Sequence, residues 1–352
     1  MFRHAQNLCQ PLTERPELRR CTTRGATEDR DPLLITRLAS ALLVSGGRAG
    51  RARFGAAAVS QLDMFSHKLE NHWPDWVELV GCGQVNKMKS QTANSSGIQP
   101  VRTFQVDRLP VRVYGSGADL GHDAAWQTRQ YLGEVLQAQG SAAVVLATGN
   151  SQLQFLDALA HLGGVDWSKV TLFHMDEYLG IDREHVGSFR RYMRERVETR
   201  LRPRGFHYLE GDTQLPLAEC ERYSRLLAAQ PIDLCCLGIG ENGHLAFNDP
   251  PVADFQDPHR VKLVKLDPAC RQQQVGEGYF PQLEAVPQYA FTLTIPALCA
   301  ARRMTCIVPE RRKAGAVRAA LRQPVSTGCP ASFLRTQGQC TLFLDTDSAS
   351  QL

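Results

Sequence analysis

The segment richest in reactive side chains spans residues 237–250 and reads Leu-Gly-Ile-Gly-Glu-Asn-Gly-His-Leu-Ala-Phe-Asn-Asp-Pro. It follows an apolar run, and its three glycines predict a loop whose backbone can close around a ligand. His244 is the side chain best suited to exchange protons near neutral pH. Asp249 follows five residues later, where a turn can return its carboxylate to orient the imidazole. The segment therefore predicts proton transfer by His244, with Asn242 and Gly243 beside it.

A second candidate segment, residues 173–180, contains the adjacent carboxylates Asp176 and Glu177. Neighbouring side chains of an extended chain point to opposite faces, so we do not expect these two to act as a paired acid and base. We expect one to enter a cleft and the other to support the loop. A carboxylate at the dry end of a buried strand can have a raised pKa and act as a general base. The alternative is an exposed carboxylate at the end of a strand.

Two further segments indicate an anionic ligand. Thr148, Gly149, Asn150 and Ser151 follow an apolar run and precede a helical pattern. A glycine turn, two hydroxyl groups and the free N–H groups of a helix start suit a phosphate monoester, although a plain helix cap explains the same residues. Lys313, before another helical pattern, can meet an anion or belong to a solvated basic run. Neither segment is a P-loop or a dinucleotide fingerprint.

These segments connect predicted strands and helices that alternate from residue 101 onwards. The predicted strands are 111–114, 142–147, 170–174, 232–237, 261–266, 305–308 and 340–344. The predicted helices are 118–137, 152–162, 188–201, 217–229, 268–279 and 311–321. Such alternation predicts an α/β fold with a mainly parallel, doubly wound, Rossmann-like sheet and helices on both faces. Ligands of such sheets bind beyond the carboxyl ends of the strands, where these segments lie.

Composition sets the protein class. The chain has 352 residues, of which 43 % are hydrophobic and 22 % charged. These values are near the globular average and exclude a chain disordered throughout, a collagen-like chain and a coiled-coil rod. Eleven cysteines without a C-x-x-C spacing predict reduced thiols in a cytoplasmic protein, with no metal cage or redox motif. The longest apolar stretch, residues 33–44, is shorter than the roughly 20 residues that span a membrane.

The formal charge of +4 belongs to the first hundred residues, which contain 13 Lys and Arg against 9 Asp and Glu. This part shows no sustained helical or strand period. We predict a largely disordered N-terminal extension, residues 1–100, before one catalytic domain, residues 101–352. Acidic residues disfavour a transit peptide, and no recognition-helix pattern supports binding of nucleic acid. Met64 and Met88 offer alternative translation starts.

The four segments, in this order and spacing, resemble the glucosamine-6-phosphate deaminase (isomerase) family. The resemblance rests on Thr-Gly-x-Ser, Met-Asp-Glu-Tyr, the long glycine–histidine segment and a lysine at a helix start. It covers about residues 105–350 and includes Gln-Tyr-Ala-Phe-Thr-Leu-Thr-Ile-Pro at 288–296. Residues 1–100 lie outside it.

The resemblance implies conversion of glucosamine 6-phosphate and water to fructose 6-phosphate and ammonium, with no metal and no cofactor. His244, oriented by Asp249, would open the sugar ring, and Asp176 would move a proton from C2 to C1. The implied phosphate ligands are Thr148, Gly149, Ser151 and Lys313. The complete predicted site has the catalytic residues Asp176, Asn242, His244 and Asp249 and the substrate-binding residues Thr148, Gly149, Asn150, Ser151, Glu177, Gly243 and Lys313.

Three positions depart from the family pattern. Asn242 stands where some members have Asp, and an amide can hold the imidazole ring but cannot share its proton transfer. Asp249 stands where Glu is frequent, so its shorter side chain requires a tighter loop. Arg271 stands about one turn before the place at which the family often has a phosphate-binding arginine. These departures leave the choice among amino-sugar phosphates open.

Two other functions compete with the deaminase. A 6-phosphogluconolactonase-type hydrolase has a similar fold and glycine–histidine loop, but its loop usually continues Ala-Ser-Leu-Phe-Pro where this chain has Phe-Asn-Asp-Pro. A non-catalytic sugar-phosphate sensor would have lost its catalytic groups, whereas this chain keeps Asp176 and His244. The expected partner is a small sugar phosphate, with no nucleic acid and no membrane. The sequence leaves monomer or homo-oligomer open.

Overall fold

The computed structural model describes residues 97–352. The predicted extension and the alternative starts Met64 and Met88 lie outside these residues, apart from the last four of the extension. The described chain contains eleven strands: β1 (Arg102–Val106), β2 (Leu109–Tyr114), β3 (Ala142–Leu146), β4 (Val170–His174), β5 (Asp176–Tyr178), β6 (Gly205–His207), β7 (Leu234–Leu237), β8 (Val261–Lys265), β9 (Tyr289–Leu293), β10 (Arg303–Val308) and β11 (Cys340–Asp345).

The helices of the same region alternate with most of these strands. They are α1 (Gly117–Gln139), α2 (Leu153–Leu162), α3 (Phe189–Met193), α4 (Thr199–Leu201), α5 (Pro216–Ala228), α6 (Pro268–Gly276), α7 (Ile295–Cys299) and α8 (Ala314–Arg322). A π-helical turn, Arg194–Glu198, joins α3 to α4. Local sequence sets the ends of α1: the hydroxyl of Ser116 accepts a hydrogen bond from the Asp119 N–H, and Gly140 ends the helix at a φ of 77°.

Eight strands form the central sheet in the order β1-β2-β11-β10-β7-β3-β4-β6. The hairpin β1–β2 is antiparallel, and all other neighbours are parallel. Alternate residues of β3 face two separate hydrophobic clusters. Val145 packs with residues of α5, α7 and α8, whereas Val144 packs with residues of α1, α2 and α3. Helices thus cover both faces, and the predicted doubly wound α/β class is confirmed.

The predicted strand 261–266 exists as β8, but it does not join the central sheet. It pairs antiparallel with β9, which pairs antiparallel with β5 in a separate three-stranded sheet. Strands β5 and β9 were not predicted: β5 has only three residues, and the last four residues of β9 are all buried and show no alternation. The short strands β1 and β6 also lacked a clear period. β1 is stabilised by pairing with its hairpin neighbour β2, and β6 by pairing with the more distant β4.

Four loops relevant to function follow β10, β7, β3 and β4, which are consecutive neighbours in the central sheet. Because these strands are parallel, their carboxyl ends lie at one edge. The eight cysteines of the described part are free thiols, seven of them buried, as predicted for reduced cysteines. No helix within residues 97–352 combines the length and apolar character needed to cross a bilayer.

Candidate active site

A cleft opens at the carboxyl edge of the four parallel strands. All four predicted loops contribute to its lining, and α6 closes another side. The predicted residues that line it are Thr148, Gly149, Ser151, Asp176, His244 and Lys313. The structure therefore brings together side chains from four separate loops.

The loop after β3 presents backbone to the cleft. Gly149 has a φ of +100°, which favours glycine, and its carbonyl accepts hydrogen bonds from the hydroxyl of Tyr192 at 3.0 Å and the N–H of Gln152 at 3.1 Å. The Gln152 side chain also donates to the Ser151 hydroxyl at 3.2 Å. Asn150, predicted to bind substrate, does not line the cleft: its side chain oxygen accepts from the Tyr279 hydroxyl at 3.0 Å.

Asp176 begins β5 and is 6 % exposed, with its side chain lining the cleft. Its Oδ1 has no hydrogen-bond partner among the described residues. Burial, and secondarily the neighbouring Glu177, raise the pKa of this carboxyl well above its usual range. A buried carboxylate with a free oxygen facing the cleft is equipped to accept a proton from a bound molecule.

Glu177 has the opposite environment, although it is the next residue. It does not line the cleft, contrary to its prediction as a substrate-binding residue, because its carboxylate lies beneath the following loop. It accepts hydrogen bonds from the backbone N–H groups of Tyr178 at 3.0 Å, Phe189 at 3.1 Å and Arg190 at 2.9 Å, and from the Ser188 hydroxyl at 2.9 Å. Burial raises its pKa, and these hydrogen bonds oppose that shift. The alternation of an extended chain thus separates the two carboxylates.

His244 lies against the glycine loop with 8 % exposure. A Cβ placed on Gly240 would lie 2.2 Å from the imidazole ring, so only glycine leaves room for the ring. Nδ1 of His244 is 3.0 Å from Oδ1 of Asp249. This carboxylate can hold the tautomer that keeps Nε2 free to exchange a proton.

Asp249 is itself held in place. Its Oδ1 accepts from the side chain amide of Asn242 at 3.0 Å, and its Oδ2 accepts from the N–H of Asp267 at 3.1 Å. Burial acts to raise its pKa, but the contacts with His244, Asn242 and Asp267 outweigh burial and lower it. Asn242 also accepts from the N–H of His244 at 3.1 Å. Asn242 therefore supports the carboxylate and the backbone, not the imidazole ring as predicted.

The glycine loop is as tight as the short Asp249 side chain requires. Gly243 and Ala246 have φ values of +84° and +51°. The Gly243 carbonyl accepts from Ala331 at 2.8 Å, and a Cβ on Gly243 would meet the Cys329 sulfur at 2.8 Å. Gly243 does not line the cleft, although it was predicted to bind substrate. Its role in the fold is to shape the loop.

Three potential metal donors lie behind the cleft: Nδ1 of His244, a carboxylate oxygen of Asp249 and Sγ of Cys270, all within 4.8 Å of one another. Burial, followed by the nearby Asp249 and Asp176 carboxylates, raises the pKa of the Cys270 thiol well above its usual range. Metals bind the thiolate, which this environment disfavours. The donor set thus suits a carboxylate placed 3.0 Å from the imidazole better than a metal ion.

The helix α6 contributes Gln273 and Gln274, with Glu277 just beyond its end, to a side of the cleft that the sequence analysis missed. Arg271, one turn earlier, faces elsewhere: its Nη2 donates to the carbonyls of Leu283 at 2.6 Å and Val286 at 2.8 Å. No periodic signal marks the three cleft residues. The family pattern pointed to this helix but not to its register.

Comparison with known proteins connects this cleft to a family. Residues 115–343 match the family model described as glucosamine-6-phosphate isomerases/6-phosphogluconolactonase. The chain belongs to this family. As a member of the glucosamine-6-phosphate isomerase/6-phosphogluconolactonase family, it is an enzyme whose cleft lies where the four family segments meet.

Individual proteins of this family are similar to the chain in sequence and in structure. The glucosamine-6-phosphate deaminase of Exiguobacterium sibiricum is 31 % identical over 62 % of this chain and 84 % of its own length. That of Bacillus cytotoxicus is 31 % identical over 61 % and 80 %. A solved monomeric glucosamine-6-phosphate deaminase is 28 % identical, with a TM-score of 0.63 over 69 % of this chain and 99 % of its own. A 6-phosphogluconolactonase from Shewanella baltica, 18 % identical with a TM-score of 0.57 over 69 % and 99 %, shares the fold.

Proposed function

We propose that this enzyme converts glucosamine 6-phosphate and water to fructose 6-phosphate and ammonium. One observation carries the proposal: Asp176, a buried carboxylate with an unpartnered oxygen, lines the same cleft as His244, which is paired with Asp249. An aldose–ketose proton transfer needs such a base, and ring opening needs such an acid–base group. The deaminase relatives support the same activity.

The phosphate would bind at the end of the cleft formed by Thr148, Gly149, Ser151 and Lys313. The loop offers hydroxyl donors and the backbone at Gly149, and Lys313 supplies a cation that is 3 % exposed. Burial lowers the pKa of the lysine ammonium, which nearby Glu277 partly offsets. A dianionic phosphate compensates a buried cation, and it fixes the sugar at a handle remote from the reacting carbons.

Ring opening requires a proton to leave the C1 hydroxyl and a proton to reach the ring oxygen. His244 can perform both transfers through Nε2, because Asp249 faces its other nitrogen at 3.0 Å. The product is the open-chain aldehyde. Its carbonyl makes the hydrogen on C2 acidic, which prepares the next step.

Asp176 would then remove the C2 proton and return it to C1. Loss of the proton gives an enolamine between C1 and C2, and protonation at C1 gives an iminium group at C2. Water adds to this iminium, ammonium leaves, and the C2 carbonyl of fructose 6-phosphate remains. All steps are proton transfers and hydrolysis, so the proposal needs no redox cofactor and no metal.

The direct test is to incubate the purified protein with glucosamine 6-phosphate and to measure ammonium and fructose 6-phosphate in equal amounts. The Asp176→Asn variant is the matched control, since it keeps the size of the side chain but loses the base. Hydrolysis of 6-phosphogluconolactone is measured in parallel. Lactone hydrolysis without ammonium release would refute the proposal, as would absence of product at millimolar substrate.

We also propose a cytoplasmic location. Support comes from the eight free cysteines of the described region, of which seven are buried. Reduced thiols are typical of cytoplasmic proteins. Fractionation of the native host's cells, followed by detection of the protein, tests this proposal, and recovery in a secreted fraction would overturn it.

A further inference from the structure

The end of the cleft that would take a phosphate also contains a carboxylate. Glu277 lines the cleft, and its side chain is only 5 % exposed. A Cβ placed on Gly149 would lie 3.6 Å from Oε2 of Glu277, so this carboxylate stands against the phosphate-type loop. The backbone carbonyl of Glu277 accepts a hydrogen bond from the Asn150 side chain at 3.4 Å, which fixes the two segments together.

Glu277 is paired with an arginine that the sequence analysis did not select. Nη1 of Arg312 is 3.1 Å from Oε1 of Glu277 and 3.0 Å from Oε1 of Glu241, and its Nε donates to Glu310. The Gln273 amide also donates to Oε1 of Glu277 at 2.7 Å. The side chain of Arg312 is 29 % exposed, so water can still reach its guanidinium. Arg312 itself lies outside the cleft lining, whereas its partner Glu277 and its sequence neighbour Lys313 line the cleft.

The carboxylates around Arg312 would repel a phosphate in the arrangement that the structure shows. Three carboxylates, Glu241, Glu277 and Glu310, surround Arg312, and within the described chain Lys313 has no carboxylate within 4 Å. A phosphate dianion next to Glu277 would be repelled while that carboxylate keeps its position. Conversely, the guanidinium of Arg312 has the planar geometry that binds two phosphate oxygens at once.

We infer that in the free enzyme the Glu277 carboxylate occupies the phosphate-binding position next to Arg312. The substrate phosphate then displaces this carboxylate and binds Arg312 together with Lys313. The inference rests on the proposed function for the identity of the substrate. Arg312 is then the second phosphate-binding cation, which α6 does not supply because Arg271 donates to the Leu283 and Val286 carbonyls. Because the ligand must replace the Glu277 carboxylate on Arg312, the site favours a doubly charged phosphate ester over a neutral sugar.

The test compares Arg312→Gln with Arg311→Gln. Arg311→Gln removes the same formal charge from the adjacent exposed arginine, which, unlike Arg312, forms no ion pair with Glu277. Loss of a charge-assisted contact predicts a KM for glucosamine 6-phosphate about 10–100-fold higher in Arg312→Gln, with kcat little changed. Arg311→Gln should stay within about twofold of the wild type. The KM of Arg312→Lys should lie between those of the wild type and Arg312→Gln, because an ammonium keeps the charge but not the bidentate geometry.

Glu277→Gln provides the opposite change. Without the competing charge, its KM should fall about threefold or more, and this gain should vanish when Arg312→Gln is added. Equal KM values for Arg312→Gln and Arg311→Gln would overturn the inference. A KM that rises in Glu277→Gln would also overturn it, because Glu277 would then support the site instead of competing with phosphate.

Calorimetric binding of inorganic phosphate to the wild type and the same variants separates this inference from the proposed function. The expected order of affinity is Glu277→Gln, then wild type, then Arg312→Gln. This order in a protein that releases no ammonium from glucosamine 6-phosphate refutes the proposed function and supports the phosphate exchange. An active wild type whose phosphate affinity is unchanged in both variants refutes the exchange alone.

Discussion

The two ends of the cleft bury charge in different ways. At one end, Asp176 is buried with an unpartnered oxygen, and fixed contacts hold the nearby His244 and Asp249. At the other end, the buried Glu277 lines the cleft and is paired with the more exposed Arg312, a pair that we propose is broken by phosphate. An unpartnered group gains reactivity, because its pKa moves toward the range in which protons exchange. A paired group gains selectivity, because only a ligand of matching charge can replace its partner.

The largest expected effect tests the reactive end. Asp176→Asn should lower kcat by about 10²–10⁴-fold, the usual contribution of a general base, because an amide cannot accept the C2 proton. Binding of fructose 6-phosphate, measured by calorimetry, should remain, since the other end of the cleft is intact. Retention of full turnover would remove Asp176 from the mechanism and erase the proposed difference between the two ends.

A smaller loss is expected for His244→Gln. The amide keeps some hydrogen bonding but cannot carry a proton, so kcat/KM for the closed-ring substrate should fall about 10²-fold, the low end of the usual contribution of an acid–base group. Exchange of the C2 hydrogen in an analogue that is already open should fall much less. These two rates can be followed by product assay and by exchange in deuterated water. Equal losses in both would assign His244 to a step after ring opening.

Lys313→Met tests the anion-binding end. We expect KM to rise about tenfold or more with kcat retained, because the lysine binds the phosphate equally in the ground state and the transition state. The melting temperature should not fall, since burial lowers the pKa of this ammonium and the methionine carries no charge to desolvate. Lys265→Met, an exposed change on β8, is the control. A loss confined to kcat would place Lys313 at the chemical end.

The smallest effect concerns stability. Burial raises the pKa of Asp176, so the folded protein resists its ionisation. Below the unfolded pKa of about 3.9 both states hold the proton, and the carboxyl then imposes no penalty. As pH rises above that value the unfolded state ionises first, and stability falls. Asp176→Asn should therefore raise the melting temperature at pH 7 by about 2–4 °C, the shift caused by 1 kcal/mol in a domain of this size.

Glu177→Gln is the comparison for this stability test. One oxygen that accepts hydrogen bonds becomes an NH₂ group facing N–H or O–H donors from Ser188, Phe189 and Arg190. The melting temperature should fall by a similar amount at pH 7, in the opposite direction to Asp176→Asn. Differential scanning calorimetry at pH 4 and pH 7 measures both variants. A rise in both would show that the hydrogen bonds of Glu177 do not offset its burial.

The sequence predicted the central architecture because its elements are locally encoded. The five residues of β3 are an apolar run in the sequence and are all buried in the structure. The glycine loop before His244 was also predicted from its sequence. The structure gives the reason for one of its glycines, because only glycine fits against the imidazole at Gly240. The small antiparallel sheet escaped prediction because β5 has three residues, and its pairing partner β9 lies more than a hundred residues away.

The sequence by itself determined most strands and helices of the central sheet, the four loops and the groups that these loops bring to the cleft. Hydrophobic periodicity and glycine turns depend on near neighbours, so they can be read along the chain. Only the tertiary structure decided that Asp176 faces the cleft and Glu177 the loop, that Asn242 holds Asp249, and that Arg312 meets Glu277 across 35 residues. Those facts depend on which distant side chains share a desolvated space, and no local pattern encodes that choice.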